Sequence, residues 1–201
     1  MTLSAVVLTH NNQQTIKACL NSLSFVDELL IIDDYSTDQT LEIARKYHPK
    51  IFQKHLNGNY AAQRNFGLKK ATGDWVIFLD SDEIIPLSLS LEIQKNLTSP
   101  NQIKGFLFRR QDSFLNQTLN HGETANTRLL RLAQKNSGFW QRPVHEYWHL
   151  KGETKTLKTP IIHQRYLSFS QFINRLNRYT DLDVEALLSE NKPFSYFDFL
   201  L

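Results

Sequence analysis

The sequence contains little cysteine, glycine and proline, and these shortages exclude several classes of protein. Its 201 residues include 1 cysteine, Cys19, with 7 glycines and 6 prolines. A single cysteine cannot form an intramolecular disulfide or a cysteine zinc cluster. The low glycine and proline contents exclude collagen-like and linker-type chains, while the 41% hydrophobic and 21% charged fractions are typical of globular proteins. The length suits one sizeable domain.

Long hydrophobic runs and common nucleotide-binding motifs are also absent. No window approaches the ~20 apolar residues of a transmembrane helix, and the start of the chain lacks the basic and apolar regions of a secretory signal. We therefore expect a cytoplasmic protein. No G-x-G-x-x-G follows the first predicted strand, which disfavours a dinucleotide site, and no G-x-x-x-x-G-K-[ST] is present, which excludes a P-loop NTPase.

The charge is distributed unevenly along the chain. Residues 101–180 carry 13 basic and 4 acidic side chains, whereas residues 1–100 carry 9 basic and 11 acidic ones. A basic region of this size indicates an anionic partner, such as a phosphate group or an anionic membrane surface, or else a solvated surface face. A nucleic-acid partner would fit the basic region but would leave the acidic residues of the first half unexplained, so we predict none.

The first hundred residues alternate between short apolar strands and amphipathic helices. The predicted strands are 3–8, 29–32, 51–52 and 75–79, and the predicted helices are 16–23, 41–47, 61–68 and 89–97. Asn11 or Asn12 is predicted to cap the first helix, and Gly73 to end the third. This alternation predicts a mostly parallel sheet with helices on both faces.

The second half shows weaker patterns. Strands are predicted at 105–110, 127–132 and 159–163 between long polar stretches, and a helix from Ser168 with Phe172, Leu176 and Tyr179 on one face. Nothing in the sequence marks a linker or an internal repeat. We therefore predict a single domain, 1–201, with a regular half at 1–100 and an irregular half at 101–201.

Polar residues follow three of the strands predicted for the first half, and ligands of open parallel sheets bind at these strand ends. They are Thr9, His10 and Asn11; Asp33 and Asp34; and Asp80, Ser81, Asp82 and Glu83. Carboxylates brought together in this way repel one another unless a cation lies between them, and oxygen ligands suit Mg²⁺ or Mn²⁺. The alternative for each acidic pair is a turn or a helix cap.

Taken in order, these segments resemble a known family. SAVVLTHNN, LLIIDDYSTDQT and AAQRNFGLKKATGDWVIFLDSDE are similar to family 2 glycosyltransferases of the GT-A fold, and the resemblance spans residues 3 to about 97. GFWQRPVHEYW and IIHQRYLSFSQFINRLNRYT resemble bacterial lipopolysaccharide-core β-glucosyltransferases. The resemblance implies a Rossmann-like sheet, a UDP-hexose donor bound by residues 1–100 and an envelope glycan or lipid-linked glycan acceptor bound by residues 101–201. It also implies peripheral contact with an anionic membrane.

The resemblance also assigns roles to residues of the first half. Thr9, Asn11 and Asp34 would line the nucleoside pocket, with Asp34 on the uracil ring. Arg64 would lie near the diphosphate. Asp80-Ser81-Asp82 would be the Asp-X-Asp motif for Mg²⁺ or Mn²⁺, with Asp82 as the direct ligand.

An inverting transfer also needs a base for the acceptor hydroxyl. Acidic residues are scarce in the second half, and Glu146 lies beside His145 among Trp140, Tyr147 and Trp148. We predict Glu146 as the base, with His145 as its competitor. In the alternative, both tryptophans belong to the core and Glu146 pairs with Arg142.

The roles of His163 and of the whole chain each have alternatives. His163 follows a predicted strand and is expected either as a third metal ligand or diphosphate contact, or as a buried histidine with satisfied hydrogen bonds. The first rival to an enzyme is a non-catalytic module that binds nucleotide sugars or glycans. The second is a sugar nucleotidyltransferase, although His10-Asn11-Asn12-Gln13 does not resemble the glycine-rich loop that such enzymes carry.

Overall fold

A computed structural model describes residues 1–98, 102–114, 117–118 and 127–165, together with the isolated positions 170, 173, 174, 177, 180, 181, 184 and 188. All of these isolated positions are helical. The face predicted for that helix, Phe172, Leu176 and Tyr179, lies outside the described residues. None of the helices that can be described has both the length and the apolar character needed to cross a bilayer.

The described residues alternate between strand and helix as far as α4 and are mostly strand beyond it. The helices are α1 (Ile16–Asn21), α2 (Thr40–Arg45), α3 (Tyr60–Lys70) and α4 (Leu87–Thr98). The strands of the first half are β1 (Leu3–Thr9), β2 (Glu28–Asp33), β3 (Lys50–Gln53), β4 (Trp75–Asp80) and β5 (Glu83–Ile84). Those of the second half are β6 (Ile103–Phe114), β7 (Gln117–Thr118), β8 (Arg128–Gln134), β9 (Gly138–Gln141), β10 (Tyr147–Leu150), β11 (Glu153–Thr156) and β12 (Ile161–Arg165).

One large sheet joins the two halves, in the order β3-β2-β1-β4-β8-β6-β12-β5, and β7 and β11 also pair with β6. The strands β3, β2, β1 and β4 are parallel. β8 then runs antiparallel to both β4 and β6. The strands β9 and β10 form a separate antiparallel hairpin. The chain thus has the mostly parallel sheet that the sequence predicts.

The sheet is buried on both faces, which explains why its strands are continuous apolar runs rather than alternating ones. Along β1, Ala5 and Val7 belong to a core that α1, α2 and α4 cover. Val6 and Leu8 point to the opposite face and pack in a second core with α3 and the β9–β10 hairpin. All four side chains are at most 7% exposed.

The strands and helices predicted between residues 3 and 163 are confirmed, but two predicted caps are wrong. α1 has Thr15 at its N-cap, while the Asn12 carbonyl oxygen accepts a hydrogen bond from the Ile16 N–H and Asn11 lies further upstream. α3 ends at Lys70 with Ala71 as its cap. Gly73 instead lies against β1, where a Cβ atom would be 2.7 Å from Ser4 Oγ and 2.9 Å from Ser4 N. Close approach of two backbones, rather than a left-handed turn, requires this glycine.

Candidate functional site

The polar strand ends of the first half meet at one edge of the sheet. In the parallel register Thr9 pairs with Asp33 across β1 and β2, and Leu8 pairs with Asp80 across β1 and β4. The residues that follow these strands, Asp34 and Asp82 among them, therefore lie at the same carboxyl edge, on either side of β1. The sequence predicts this convergence, and the strand order confirms it.

The two aspartates after β2 have different roles. Asp33 is fully buried, and its carboxylate accepts hydrogen bonds from the backbone N–H and hydroxyl of Ser36 and from Gln53. Asp34 keeps 21% of its side chain exposed. Its Oδ1 accepts a 3.0 Å hydrogen bond from the Leu56 N–H, and its Oδ2 accepts none from the residues that the structure describes. Asp33 thus shapes the loop, while Asp34 offers an acceptor oxygen.

Thr9 and Asn11 serve mainly to hold the adjoining loops. The Thr9 hydroxyl, which is buried, donates a hydrogen bond to Asn12 Oδ1 over 3.3 Å. Asn11 has a positive φ of 51°, and its Oδ1 accepts a 2.8 Å hydrogen bond from the Thr37 N–H. The Asn11 N–H in turn donates to Ser36 Oγ over 2.9 Å. These contacts connect the loop after β1 to the loop after β2.

Arg64 of α3 lies at the centre of the site. Its Nη2 donates a 2.8 Å hydrogen bond to Asp80 Oδ1, and its Nε donates a 2.8 Å hydrogen bond to Glu146 Oε1. The guanidinium carbon lies 4.8 Å from the centroid of the Trp140 ring. The side chain is only 1% exposed. Burial alone would lower the pKa of Arg64, but the adjacent carboxylates of Asp80 and Glu146 outweigh burial and raise it.

A second arginine holds Asp80 from the other side. Arg131, on β8, donates a 3.1 Å hydrogen bond to Asp80 Oδ2 and lies 3.8 Å from Glu83 Oε1. Burial would raise the pKa of Asp80, yet the guanidinium groups of Arg64 and Arg131 hold it well below its usual range. For the fully buried Glu83, burial prevails over Arg131 and raises the pKa. The two carboxyl groups at the end of β4 are therefore pushed in opposite directions.

His163 of β12 joins Asp82 to a buried carboxylate. Its Nε2 lies 3.2 Å from Asp82 Oδ2, and its Nδ1 lies 2.5 Å from Asp112 Oδ1. Burial lowers the pKa of His163, but the hydrogen bonds with Asp112 and Asp82 outweigh it and raise the pKa to about 9. The two carboxylates thus favour the charged form of the ring. This is a buried histidine with satisfied hydrogen bonds, and it is also in contact with the predicted metal motif.

Three successive residues of α3 organise the whole edge. The Gln63 side chain donates a 2.7 Å hydrogen bond to the Lys54 carbonyl, which fixes the loop that reaches Asp34. Arg64 binds Asp80 and Glu146, as described above. Asn65 exchanges two 2.8 Å hydrogen bonds with the backbone N–H and carbonyl of Trp140 and so attaches the β9–β10 hairpin to α3. The helix thus connects the two halves of the chain.

The hairpin separates the aromatic residues of the second half into two groups. Trp140 and Trp148 are each 3% exposed and pack on Phe78, so the core alternative is confirmed for both. Glu146 pairs with Arg64. Its Oε2 accepts no hydrogen bond within the described part of the chain, and its side chain is 15% exposed. The neighbouring His145 is exposed and has a positive φ of 49°.

The donor set at this edge fits a hard divalent cation that is shared with a ligand. Within the described ranges, no three His, Cys, Asp or Glu side chains form a cage of protein ligands. Mg²⁺ is commonly held by one or two carboxylates, with substrate phosphates and water completing its shell. Asp82 could supply such a carboxylate, whereas both oxygens of Asp80 already accept hydrogen bonds from Arg64 and Arg131, so Asp80 could only support the site. Arg64 Nη1, which is buried with no partner among the described residues, supplies a donor for an anionic group.

Sequence reasoning missed several residues that shape the site. Arg131 is one member of a basic strand, and nothing in RLLRLAQ distinguishes it from Arg128. Gln63 and Asn65 flank Arg64 on α3. The amphipathic pattern of this helix is weak, so it does not predict that polar side chains such as Gln63 and Arg64 are buried. The signal that could have found them is a run of long polar residues within a helix that must pack on a sheet.

The chain belongs to glycosyl transferase family 2. Residues 4–160 match the profile of that family, a range that includes the site residues described above other than His163. The mostly parallel central sheet of the chain matches that of glycosyltransferases of the GT-A fold. Crystal structures of the same fold include the Staphylococcus aureus TarS 1–349 fragment, with a TM-score of 0.62 and 19% identity over 92% of this chain and 66% of that one.

Other relatives match along almost the whole chain. An uncharacterized glycosyltransferase of Rickettsia typhi is 26% identical over 97% of this chain and 71% of its own length. The lipopolysaccharide core biosynthesis glycosyltransferase LpsC of Rhizobium meliloti is 25% identical over 94% of this chain and 73% of its own. Glucosyl-3-phosphoglycerate synthase from Mycobacterium tuberculosis, solved with Mn²⁺, UDP and phosphoglyceric acid, has a TM-score of 0.62, with 17% identity over 96% of this chain and 80% of that one. The chain thus spans about two thirds to four fifths of the length of these proteins.

Proposed function

We propose that this chain transfers a hexose from a UDP-sugar to an envelope glycan, such as a lipopolysaccharide core, with inversion at the anomeric carbon and with Mg²⁺ or Mn²⁺. The observation that carries the proposal is the position of Arg64. One guanidinium group contacts both Asp80 of the predicted metal motif and Glu146, the predicted base. One buried side chain therefore connects the residue proposed to bind the donor with the residue proposed to deprotonate the acceptor.

The nature of the donor is supported by proteins of the same fold. TarS 1–349 has been solved in complex with UDP-GlcNAc, and the mycobacterial synthase with UDP and Mg²⁺. In this chain, Asp34 Oδ1 is held by the Leu56 N–H, whereas Oδ2 has no partner among the described residues. The uracil ring of UDP, attached to ribose through N1, carries one N–H, from which Oδ2 would accept a hydrogen bond. Thr9 and Asn11, which fix the adjoining loops, would complete the nucleoside pocket.

The diphosphate and the metal would lie over the end of β4. Asp82 would bind the cation directly and Asp80 would support it, with the remaining positions filled by diphosphate oxygens and water. His163 would be a third ligand in its deprotonated form, since metal binding displaces protons from ligands. When bound, the cation supplies Lewis-acid stabilisation of the leaving diphosphate. The buried guanidinium groups of Arg64 and Arg131 would add fixed positive charge on the same side.

Glu146 would accept the proton of the acceptor hydroxyl. Its Oε1 is fixed by two contacts of 2.8 Å with Arg64 Nε and Nη2, and Oε2 accepts no hydrogen bond from any described residue. A base needs this combination of a fixed orientation and one free oxygen within reach of the reacting hydroxyl. His145, exposed beside Glu146, is the competing base.

The acceptor would approach from the second half of the chain. Phe139 and Tyr147, which alternate with the buried tryptophans, are 50% and 49% exposed on the outer face of the hairpin and offer flat surfaces to sugar rings. The basic charge of this half would attract phosphate groups of the acceptor or of an anionic membrane on the cytoplasmic side. The similarity to LpsC supports a lipopolysaccharide-type acceptor.

A panel of nucleotide sugars tests the donor assignment. Thermal unfolding of the full chain would be followed with UDP-glucose, UDP-GlcNAc, GDP-mannose and ADP-glucose, each with and without Mn²⁺. A ligand at a hundredfold excess over its dissociation constant raises the apparent stability by about 2.7 kcal/mol. We expect UDP-sugars to raise the melting temperature only with Mn²⁺ and to release UDP when a glycan acceptor is added. Stabilisation by GDP-mannose or ADP-glucose instead would overturn the proposal.

A further inference from the structure

Tyr35, immediately after Asp34, has an unusual backbone conformation. Six described residues other than glycine have a positive φ: Asn11, Tyr35, His48, Asn57, Arg142 and His145. Asparagine and histidine are enriched in this left-handed region, whereas a bulky aromatic residue there is an outlier. At a φ of 51°, Tyr35 occupies a position that glycine would fill without strain.

The surrounding loop imposes this conformation. The buried Asp33 carboxylate accepts hydrogen bonds from the Ser36 N–H and hydroxyl, and these fix the backbone just after Tyr35. On the other side, the Asp34 N–H donates to the Thr9 carbonyl over 2.9 Å. A strained backbone conformation that neighbouring hydrogen bonds hold in place is often found at a functional site.

The ring forms an exposed aromatic surface next to the Asp34 carboxylate. Tyr35 is 44% exposed and stacks on His55, with ring centroids 4.0 Å apart and an interplanar angle of 24°. The His55 side chain is itself 63% exposed, and its Nδ1 lies 3.4 Å from Asp34 Oδ1. One face of Tyr35 is thus supported by His55, and His55 contacts the Asp34 carboxylate whose other oxygen, Oδ2, we propose for uracil.

We infer that Tyr35 is a base-stacking residue, which binds the face of the uracil ring while Asp34 binds its edge. The inference rests on the proposed function. Asn11 cannot take this role, because its side-chain oxygen is bound to the Thr37 N–H over 2.8 Å and it carries no ring. His55 holds Tyr35 in place and is a positioning residue. Stacking of a base on an aromatic side chain is tolerant of base identity, so selectivity for uracil stays with Asp34.

The test compares Tyr35→Gly, Tyr35→Phe and His48→Gly by calorimetric titration of the full chain with uridine and with UDP plus Mn²⁺. His48 shares the positive φ, 52°, but precedes β3 at the opposite edge of the sheet, so it is a matched control for backbone strain. We expect Tyr35→Gly to bind uridine and UDP about tenfold to a hundredfold more weakly, by the same factor for both. Tyr35→Phe and His48→Gly should bind both ligands like the wild type.

Stability provides the second readout. Because glycine relieves the strain at both positions, Tyr35→Gly and His48→Gly should melt at the same temperature as the wild type or higher. A residue of purely structural importance would instead lose stability together with binding. Equal UDP affinity for the wild type and Tyr35→Gly would overturn this inference alone and would place the base elsewhere, for example against His10. A wild type that binds neither uridine nor UDP would overturn the proposed function as well.

Discussion

Arg64 donates a 2.8 Å hydrogen bond to Glu146 Oε1, although 82 residues separate the two in sequence. The same guanidinium group binds Asp80 over 2.8 Å. The contact therefore fixes the distance between the end of β4 and the loop before β10. Any rotation of the β9–β10 hairpin away from α3 would break it, so Arg64 couples the position of the proposed base to that of the proposed metal motif.

Replacement of Arg64 by lysine should separate these two groups. A lysine keeps the charge but cannot donate to two carboxylates in fixed directions. We expect Arg64→Lys to lower the free energy of unfolding by about 1.5–3 kcal/mol, the usual range for a hydrogen bond with a charged group, and to lower kcat as well as UDP affinity. Urea denaturation and steady-state kinetics check this. Arg45→Lys, on the exposed surface of α2, should change neither quantity, and an unchanged Arg64→Lys would show that the bridge is dispensable.

The first half of the fold could be predicted because its signals are local. A parallel strand buried on both faces must be apolar throughout, so β1, β2 and β4 are visible as continuous runs. The polar residues after them then mark the site without any knowledge of strand order. The caps of α1 and α3 could not be predicted because several residues near each helix end suit a cap, and only tertiary contacts, such as that of Gly73 with Ser4, decide among them.

The partners of the site residues could not be predicted, because they depend on long-range pairing. Proximity in sequence suggests Arg142 as a partner for Glu146, whereas the structure pairs Glu146 with Arg64. Arg131 reaches Asp80 only because β8 runs antiparallel to β4. Likewise, His163 is joined to Asp112 by the parallel pairing of β12 with β6. The local sequence pattern predicts none of these strand registers.

Loss of Asp82 should remove the metal dependence of donor binding while the fold survives. Asp82 is 14% exposed at the end of β4, and His163 keeps Asp112 as a partner when Asp82 is lost. We expect Asp82→Ala to bind UDP with the same affinity with and without Mn²⁺, and to have no detectable transfer. Titrations with UDP at several Mn²⁺ concentrations check this. Glu42→Ala, on the exposed face of α2, is the control; a folded Asp82→Ala with normal Mn²⁺-dependent turnover would exclude Asp82 as the ligand.

Asparagine at position 34 should weaken nucleoside binding because it has a single acceptor oxygen. The Leu56 N–H already requires one acceptor from this side chain, and the uracil N–H would require a second. We expect Asp34→Asn to bind uridine and UDP about ten- to a hundredfold more weakly, as for a lost hydrogen bond to a charged group. The Mn²⁺ dependence should remain. Unchanged uridine affinity would show that the base binds away from Asp34.

Glu28, at the edge of the sheet opposite the site, should make stability dependent on pH. Burial raises the pKa of its carboxyl group, but hydrogen bonds from Lys50, Ser4 and Thr72 outweigh burial and lower the pKa from 4.5 to about 2. Because the folded state has the lower pKa, the carboxylate stabilises the fold above pH 4.5, and this contribution is lost as the pH falls towards 2.

We expect Glu28→Gln to lower the free energy of unfolding by about 1.5–3 kcal/mol at pH 7. The difference from the wild type should shrink steadily below pH 4.5. Urea denaturation at a series of pH values checks this, with Glu42→Gln on the exposed face of α2 as the control. A difference that stays constant down to pH 3 would mean that ionisation of Glu28 does not contribute.

The most direct test of the account is the turnover of Glu146→Gln. Glutamine keeps the shape of the side chain and can still accept the Arg64 hydrogen bond, but it cannot take a proton. With a UDP-sugar, Mn²⁺ and a glycan acceptor, we expect kcat for UDP release to fall about 10²–10⁴-fold, while UDP affinity and melting temperature stay within a factor of two and a few degrees of the wild type. Near-normal kcat in Glu146→Gln, together with loss of activity in His145→Ala, would contradict the assignment of Glu146 as the base.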